Sequence, residues 1–373
     1  MAKVPDRIGQ LVGERYEFLD IIGRGGQGIV YRARDRWQER SVAVKVLGSK
    51  ALREPHVVER LMREQQAMTA LKGTSAVELF DVCRGHDGEL CLVMELLSGM
   101  DLDDCLFNLE QQRARMSLQR VCEVFAPIVS TLEVAHAAGI VHRDLKPANV
   151  FLLESGGVRL LDFGLSRLKN SAPLTAAGTV MGSPSFMAPE AWQGMSDLLD
   201  QRVDVYSLGV ILFRVLTGEL PFGGATMKEK FLSSTTGKRP SLLRHRPDLA
   251  PSADDWVARA LAVDREQRFS NVTALWSGFR SILPAEAKRG LSFWAAAKSA
   301  LQKVVGASEP APVLRPKAVP PKLPELTMQL RDDELRTFGP PPRKAPPPRE
   351  KTISMSDSDL VADAPGAAPR DSR

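Results

Sequence analysis

HRDLKPAN, residues 142–149, places an acid, a base and an amide within a few positions of one another: Asp144, Lys146 and Asn149. Apolar residues flank the stretch, IV before it and VFLL after it. A solvated turn requires no such mixture of chemical groups, whereas apolar flanks can anchor a loop in a core. The stretch therefore indicates a functional loop held between two buried segments.

Length and composition are those of an ordinary globular protein. The chain has 373 residues, of which 43% are hydrophobic and 25% charged, enough for one large domain or two smaller ones. The formal net charge is +5, but residues 285–373 hold 15 Lys and Arg against 11 Asp and Glu. Residues 1–284 are close to neutral, with 35 against 34, so the composition does not support nucleic-acid binding.

Neither a targeting segment nor a membrane span is visible in the sequence. The first residues, MAKVPDRIGQLVGERY, lack the apolar core of a signal peptide. The longest apolar stretch, LGVILFRVL at 208–216, is interrupted by Arg214 and is too short to cross a bilayer. The four cysteines show no CxxC spacing and are typical of reduced thiols. We therefore expect a cytoplasmic protein with no transmembrane segment.

The composition changes sharply near residue 284. Fourteen of the 26 prolines lie from Pro310 onward, so we expect residues 307–373 to be disordered, with polyproline II character and a possible role in binding a partner. Residues 285–306 place apolar side chains near one helical face, which predicts an amphipathic helix. Docking of this helix on the main domain is favoured over binding to a membrane surface or a partner.

Hydrophobic periodicity predicts two structural regions. The stretches RYEFLDIIGRGGQGIVYRARD and SVAVKVLG alternate as antiparallel strands do, with glycines in the first hairpin. Residues 57–72 have helical periodicity, and residues 89–97 form another strand. From about residue 117 the chain is mainly helical, apart from strands at VFLL and VRLLDF. The pattern predicts an α+β fold, with a small β-rich lobe before a larger α-helical one.

Three motifs outside the opening stretch point to phosphate chemistry, although each is weak alone. Gly23, Gly25 and Gly28 form a GxGxxG pattern, but a strand follows it, so a dinucleotide-binding turn is disfavoured. A glycine hairpin still lets backbone amides approach phosphates, and a plain hairpin is the alternative. Lys45, inside the apolar strand VAVKV, needs a carboxylate or phosphate unless it lies at a strand edge. Asp162, in DFG, suits Mg²⁺ or a simple turn.

The order of these motifs resolves the alternatives. A glycine hairpin, a strand lysine, a helical glutamate, HRDLKPAN, DFG and APE follow one another, and this order resembles the protein kinase superfamily. GRGGQGIVYRARD, VHRDLKPANVFL and MGSPSFMAPE resemble, more narrowly, the bacterial eukaryotic-like (Hanks-type) serine/threonine kinases. The resemblance covers residues 16–283 and implies a bilobal kinase fold, with an N-lobe at about 16–97 and a C-lobe at about 98–283.

The resemblance implies transfer of the γ-phosphate of ATP to serine or threonine hydroxyls of protein substrates. Asp144 would accept or orient the hydroxyl proton, and Lys146 would steady the transferring phosphate. Asn149 and Asp162 would hold Mg²⁺ or Mn²⁺. Lys45 would bind the α- and β-phosphates and pair with a glutamate, for which Glu64 fits the family better than Glu59.

The family's nucleotide pocket can be carried onto this sequence by position. Val30 and Ala43 would cover the adenine from above, and Phe151 would support it from below. The implied ATP-binding positions are Ile22, Gly23, Gly25, Gly28, Val30, Ala43, Lys45, Glu64, Met94, Glu95, Leu97, Asp101 and Phe151.

Further positions carry hinge, ribose-binding and structural roles in the family. Met94 matches the gatekeeper, and Glu95 and Leu97 would offer backbone hydrogen bonds at the hinge. Asp101 matches the acidic residue that contacts ribose, although the family often has the longer glutamate there. The resemblance also implies structural residues: a Glu190–Arg268 pair, Asp204 bracing the catalytic loop, Arg143 beside the catalytic acid, and Ser183.

Departures from the family pattern leave the catalytic positions intact. Gln27 replaces the apolar residue usual at the glycine-loop tip, Ser183 stands where threonine is usual, and Phe186 where tyrosine is usual.

Arg143 could bind a phosphate on the activation loop, and Thr175 and Thr179 are the candidate phosphorylation sites.

Other function classes remain as alternatives. A pseudokinase or signalling scaffold would use the same fold for binding only, and would not need the chemical residues that are present. A small-molecule phosphotransferase would not need LKP or the long loop that ends in APE. Binding of a partner through the proline-rich tail is compatible with kinase activity.

Overall fold

Alternating apolar residues in the front of the chain form an antiparallel sheet of six strands. The computed structural model describes residues 7–25, 28–47, 69–86, 88–163, 184–193, 199–285 and 287. The strands are β1 (Leu11–Val12), β2 (Tyr16–Gly25), β3 (Gly28–Asp35), β4 (Arg40–Leu47), β5 (Leu79–Arg84) and β6 (Leu90–Glu95). Their order across the sheet is β1-β2-β3-β4-β6-β5.

The two faces of this sheet bury different clusters, because successive side chains of a strand point to opposite faces. Val42, Val44 and Val46 of β4 pack with Tyr31 and Val93 in one cluster. The other face carries a smaller cluster of Leu47, Leu90 and Leu92. Lys45 alternates with the valines of β4 and therefore shares the face of Leu47.

Short strands and six helices make up the rest of the described chain. The strands β7 (Gly99–Asp101), β8 (Val150–Leu153) and β9 (Val158–Leu160) form a second antiparallel sheet in that order. The helices are α1 (Leu102–Gln111), α2 (Leu118–Ala137), α3 (Arg202–Thr217), α4 (Met227–Thr236), α5 (Ala253–Ala260) and α6 (Val272–Ile282). Short 3-10 turns lie at Thr69–Leu71, Pro147–Asn149, Pro184–Phe186, Pro189–Gln193 and Arg265–Gln267.

Helix α3 is the centre of the helical lobe. Nearly all its side chains are buried, including those of Val205, Leu208 and Leu212, so other elements surround it on all sides. Gly209 allows close packing, since a Cβ there would lie 3.1 Å from the Cβ of Ala260 on α5. None of the helices in the described part of the chain is long and apolar enough to cross a membrane.

The predicted fold class is confirmed: a β-rich lobe precedes an α-helical lobe. The VFLL strand is also confirmed as β8. Strand β9 ends at Leu160, earlier than predicted, because Asp162 turns the chain with a φ of 61°. Of the helix predicted at 57–72, only the end is described, and Thr69–Leu71 is a 3-10 turn. The predicted helix at 285–306 and the tail at 307–373 lie outside the described residues, apart from positions 285 and 287.

A buried carboxylate closes the hairpin between β3 and β4. The side chain of Asp35 is fully buried, and Arg15 donates to its two oxygens at 2.6 and 2.7 Å. The backbone N–H groups of Trp37 and Gln38 donate to the same carboxylate. The bidentate bond from Arg15 outweighs burial and lowers the pKa of Asp35 to about 2 from an ordinary value of 3.8.

We predict that Asp35→Asn lowers the free energy of unfolding by about 1–3 kcal/mol at neutral pH, because a largely buried guanidinium loses its charged partner. The pKa of Asp35 is depressed in the folded state, so the stability that its charge supplies is present above the ordinary pKa and is lost as pH falls towards about 2. Urea unfolding across pH should therefore show the gap between wild type and variant narrowing below about pH 4.

Asp20→Asn is the matched control, because Asp20 makes the same bidentate bond to Arg32 at a site where both side chains are 46% exposed. Its effect should stay within about 1 kcal/mol. Equal losses for the two variants, or a gap for Asp35→Asn that does not depend on pH, would contradict this account of Asp35.

Candidate active site

A buried carboxylate on α3 holds the HRDLKPAN loop in place. Asp204 lies in the first turn of α3 and has no solvent exposure. Its Oδ2 accepts from the backbone N–H of His142 and from Nε2 of His136, each at 2.8 Å. Its Oδ1 accepts from the backbone N–H of Arg143 at 2.8 Å. Burial alone would raise the pKa of Asp204, but the bond from His136, the two histidines and the backbone donor lower it overall.

Arg143 turns the chain directly after the first of these backbone bonds. Its φ is 63°, in the left-handed region that residues other than glycine rarely adopt. Such a backbone persists only where the surroundings over-determine it. The bonds from the backbone N–H groups of His142 and Arg143 to Asp204 supply this restraint. The turn fixes the position of the next residue, Asp144.

His142 connects this loop to the stretch that contains DFG. Its Nε2 donates to the carbonyl oxygen of Leu161 at 2.9 Å, and its Nδ1 accepts from the backbone N–H of Asp144. Its ring packs against Phe163, with ring centres 4.8 Å apart. The backbone N–H of Leu161 donates in turn to the carbonyl of Asn149 at 2.8 Å. The two loops are therefore held together by backbone and side-chain bonds.

The acid, the base and the amide of the opening stretch meet in the structure. Lys146 Nζ donates to Asp144 Oδ2 at 3.2 Å, and both side chains are largely buried. Asn149 Nδ2 donates to the backbone carbonyl of Asp144 at 2.7 Å. This bond uses the amide nitrogen of Asn149, so its Oδ1 is the atom suited to coordinate a cation.

An ion pair joins the first sheet to the DFG stretch. Lys45 Nζ donates to Asp162 Oδ1 and Oδ2 at 2.6 and 2.7 Å. Lys45 is 8% exposed, and a buried ammonium requires such a partner. The position of Lys45 is fixed by the register of the sheet, in which it lies opposite Val30 on β3 and Leu92 on β6. Two charges 117 positions apart in the sequence therefore share one site.

The predicted adenine-binding residues lie on neighbouring strands of the first sheet and on β8. Ala43 of β4 is opposite Met94 of β6, and Val30 of β3 is opposite Lys45. Phe151, on β8, is opposite Asp101, on β7. Of the glycines, Gly23 and Gly25 end β2 and Gly28 starts β3, whereas Ile22 is 48% exposed.

Gly28 requires glycine for two reasons. Its φ is 144°, and an added Cβ would lie 2.0 Å from the backbone oxygen of Val46. No L side chain fits there without displacing β4.

Glu95, which the resemblance predicts to be a hinge residue, is held by bonds that the sequence did not indicate. Its side-chain Oε1 accepts from Arg159 Nε and from the backbone N–H of Glu78, each at 2.8 Å. Its own backbone N–H donates to the carbonyl of Glu78 at 2.9 Å. A ligand hydrogen bond at Glu95 would therefore have to use its carbonyl oxygen, while Leu97 lies beyond the end of β6.

Asp101 has a structural bond within the chain. It is the N-cap of α1, where its Oδ1 accepts from the backbone N–H of Asp104 at 2.9 Å. Partial burial raises the pKa of Asp101, although the backbone bonds oppose that shift. A carboxylate has about four acceptor sites, so Asp101 could also accept from a ligand such as a sugar hydroxyl while it caps the helix.

The predicted Glu190–Arg268 pair forms deep in the helical lobe. Arg268 has no side-chain exposure and donates to both carboxylate oxygens of Glu190 at 2.7 Å. Its N–H groups also donate to the carbonyls of Ala262, Arg202 and Val263. The guanidinium thus ties the APE stretch to the start of α3 and to the chain after α5.

Comparison with known families agrees with this arrangement. A family model described as the protein kinase domain matches residues 16–279. The chain belongs to the protein kinase family. The match includes both lobes and every element of the site described above, so the prediction of the family is confirmed.

The relatives of this kinase domain include bacterial serine/threonine kinases. It is 35% identical over 272 residues to the serine/threonine-protein kinase PknB of Mycobacterium tuberculosis, covering 71% of this chain and 42% of that protein. It is 32% identical over 285 residues to the serine/threonine-protein kinase Pkn3 of Myxococcus xanthus, covering 74% of this chain and 51% of that protein. The chain thus spans about half the length of these relatives or less.

A solved kinase domain has the same fold. The crystal structure of the kinase domain of PknI from Mycobacterium tuberculosis matches with a TM-score of 0.57 and 25% identity. The match covers 73% of this chain and 98% of that one.

The oxygens at the kinase site fit a hard divalent cation. Asp162 offers a carboxylate and Asn149 an amide oxygen, and oxygen ligands are those that Mg²⁺ prefers. No group of three or more His, Cys, Asp or Glu that could hold a metal ion occurs in the described part of the chain. A cation here would need phosphate or water oxygens to complete its coordination, as is usual for Mg²⁺.

Several predicted kinase residues lie outside the described residues. These are Glu64, Thr175, Thr179, Ser183 and the glycine of DFG. Two residues of the site were missed from the sequence, His136 and Arg159. Neither gives a local signal, because their partners Asp204 and Glu95 are 68 and 64 positions away in the chain.

Proposed function

We propose that this chain is an ATP-dependent serine/threonine protein kinase that acts in the cytoplasm. One observation carries the proposal. The aspartate, lysine and asparagine of HRDLKPAN and the Lys45–Asp162 pair, which phosphoryl transfer requires, are all present and are connected to one another. Lys45 binds Asp162, and Asn149 and Lys146 both bind Asp144. The backbone bond from Leu161, next to Asp162, to the carbonyl of Asn149 joins these two groups. The chain's family membership and its similarity to bacterial serine/threonine-protein kinases support the same activity.

Asp144 is the proposed base that orients the acceptor hydroxyl and accepts its proton. The bond from Lys146 at 3.2 Å places an ammonium beside this carboxylate, where it can also stabilise negative charge on the transferring phosphoryl group. Lys146-Pro147 in the loop favours serine and threonine over tyrosine as acceptors. The protein does little covalent chemistry in such a reaction and acts mainly by positioning and charge.

Lys45 and Asp162 are proposed to handle the phosphates of ATP. Each neutralises the charge of the other in this structure. When ATP binds, Lys45 would pair with its α- and β-phosphates, and Asp162 with Asn149 would hold Mg²⁺ or Mn²⁺. The bound cation would neutralise phosphate charge during transfer.

Regulation is proposed to run through the activation loop and the tail. Arg143 adjoins Asp144, the proposed base, and its Nη2 donates to the carbonyl of Leu199 at 3.4 Å. A phosphate on Thr175 or Thr179 would add a charge of about −1.5 to −2. Its oxygens are strong hydrogen-bond acceptors that this guanidinium could bind. Phosphorylation would order the loop for docking of protein substrates, and the proline-rich tail at 307–373 would recruit a partner.

We predict that Asp144→Asn and Lys45→Met each lower phosphate transfer from ATP to a generic acceptor protein by at least about 100-fold, since one electrostatic contact at the reacting phosphate is worth a few kcal/mol. Transfer of radiolabelled phosphate measures this directly. The control, Asp255→Asn, makes the same change at an exposed position on α5 and should leave transfer unchanged. Full transfer by either site variant, with its fold intact, would refute the proposed activity.

We also predict that the enzyme phosphorylates itself in trans at Thr175, Thr179 or both. Mass spectrometry of wild type incubated with ATP should find phosphate there, and the Asp144→Asn protein should carry none. The double variant Thr175→Ala, Thr179→Ala should phosphorylate an external substrate clearly more slowly, whereas Ser171→Ala, in the same loop, should not. A fully active enzyme with an unmodified loop would contradict this route of activation.

A further inference from the structure

Two cysteines face each other across neighbouring strands of the first sheet. Cys83 on β5 and Cys91 on β6 are directly opposed in the antiparallel register, and both are free thiols. Opposed residues in antiparallel sheets have Cα atoms about 4.5–5.5 Å apart, inside the range of about 4.4–6.8 Å that a disulfide spans. Directly opposed residues point to the same face of a sheet, so the two side chains lie next to each other. A bond between them therefore requires little movement of the backbone.

We propose that Cys83 and Cys91 form an oxidisable dithiol, which a peroxide converts into an intramolecular disulfide. This modification site lies outside the catalytic network and does not depend on the proposed kinase activity.

The two thiols differ in solvent exposure and in pKa. Cys83 is half-buried, whereas Cys91 has no exposure and belongs to the cluster of Val44 and Val93. The hydrogen bond that Cys91 donates to Cys83 lowers the pKa of Cys83 and raises that of Cys91, and burial raises the pKa of Cys91 further. An oxidant can reach only the more exposed thiol directly, and the thiolate is the reactive form of cysteine, so Cys83 is the attacking group and Cys91 the resolving one.

The neighbourhood of Cys83 favours a small oxidant. The backbone of Gly13 passes over it, so closely that a Cβ on Gly13 would lie 3.2 Å from the Cβ of Cys83 and 3.5 Å from its sulfur. This covers one side of Cys83 and leaves partial access. Hydrogen peroxide is small enough to use that access, whereas a bulky disulfide would have to displace the segment that carries Gly13.

The remaining cysteines are less suited to the same reaction. Cys122 on α2 is buried, and its burial raises its pKa to about 11. Burial also raises the pKa of Cys105 on α1. A raised pKa lowers the thiolate fraction of both cysteines, so oxidation should favour the pair on the sheet.

The proposed reaction balances in two steps. The Cys83 thiolate attacks one oxygen of hydrogen peroxide, the O–O bond breaks, and hydroxide leaves and takes up a proton as water. Cys83 is then a sulfenic acid. Cys91 loses its proton and attacks the Cys83 sulfur, an S–S bond forms, and hydroxide leaves with a proton as the second water. The two thiols lose two electrons and two protons, and the peroxide gains them. A dithiol reductant reverses the change by exchange.

The Cys83–Cys91 pair is connected through β6 to the proposed nucleotide pocket. Cys91 lies opposite Val46 on β4, next to Lys45, and β6 continues from Cys91 to Met94 and Glu95. A covalent link between β5 and β6 therefore restrains the strand that carries these two residues of the pocket.

The test treats the reduced 373-residue chain with hydrogen peroxide, alkylates the remaining thiols with N-ethylmaleimide, and maps peptides without reduction. We expect a loss of two hydrogen atoms from the intact mass measured before alkylation, a cross-linked peptide pair that contains Cys83 and Cys91, and reversal by dithiothreitol. Cys105 and Cys122 should carry the alkyl group.

Three variants sharpen the test. Cys105→Ala with Cys122→Ala keeps the dithiol and should still form the disulfide. Cys91→Ser removes the resolving thiol, so Cys83 should stop as a sulfenic acid that dimedone traps, and Cys83→Ser should leave Cys91 reduced. The wild-type peptide map tests the proposal without any variant. The proposal would be overturned by alkylation of all four thiols, by a Cys83 sulfenic acid that Cys91 does not resolve, or by a link to another cysteine or chain.

Discussion

The buried carboxylate of Asp204 is the group on which the geometry of the catalytic loop depends. An isolated charge at such a depth would cost several kcal/mol, and three hydrogen bonds from His136, His142 and Arg143 compensate for it. Two of these donors are successive backbone N–H groups, so the bonds fix the main chain itself, including the left-handed φ of Arg143. Asp144 follows directly after these two restrained residues. Its position is therefore set by α3, the most deeply buried of the described helices.

A second constraint acts between distant parts of the chain. The pair of Lys45 and Asp162 joins a strand of the N-lobe sheet to the loop after β9, and His142 binds that same loop through the Leu161 carbonyl. The two charged residues proposed to bind phosphate and metal, Lys45 and Asp162, are thus attached to the proposed catalytic base, Asp144, through strands and loops. Catalysis that works by positioning and charge requires such attachment, because small displacements of reacting groups are costly in rate.

Much of this arrangement was predictable from local sequence, and the reason is physical. HRDLKPAN, DFG and the glycine hairpin concentrate unusual chemistry in short stretches, and alternation on β4 placed Lys45 on one face of a sheet. The contacts of His136 and Arg159 were not predictable, since each depends on a partner more than 60 positions away. The capping bond of Asp101 was missed because a ribose role was assigned to it by resemblance, although an aspartate before a helical LDD stretch is also a common N-cap. The Cys83–Cys91 pairing required the register of β5 and β6, which spacing along the chain does not reveal.

The most direct test of this account is steady-state kinetics of Asp204→Asn on an external acceptor protein. The substitution keeps the shape but replaces an acceptor oxygen by a donor NH₂ group, which in either orientation faces a backbone N–H, that of His142 or that of Arg143. The account predicts that kcat falls by about tenfold or more, since an unsatisfied buried group costs about 1–3 kcal/mol, while the KM for ATP changes little. Asp254→Asn, at a half-buried carboxylate that accepts from Ser241 and Leu243, controls for general loss of stability and should keep its kcat. An unchanged kcat in Asp204→Asn, or an equal fall in both variants, would contradict the central role of Asp204.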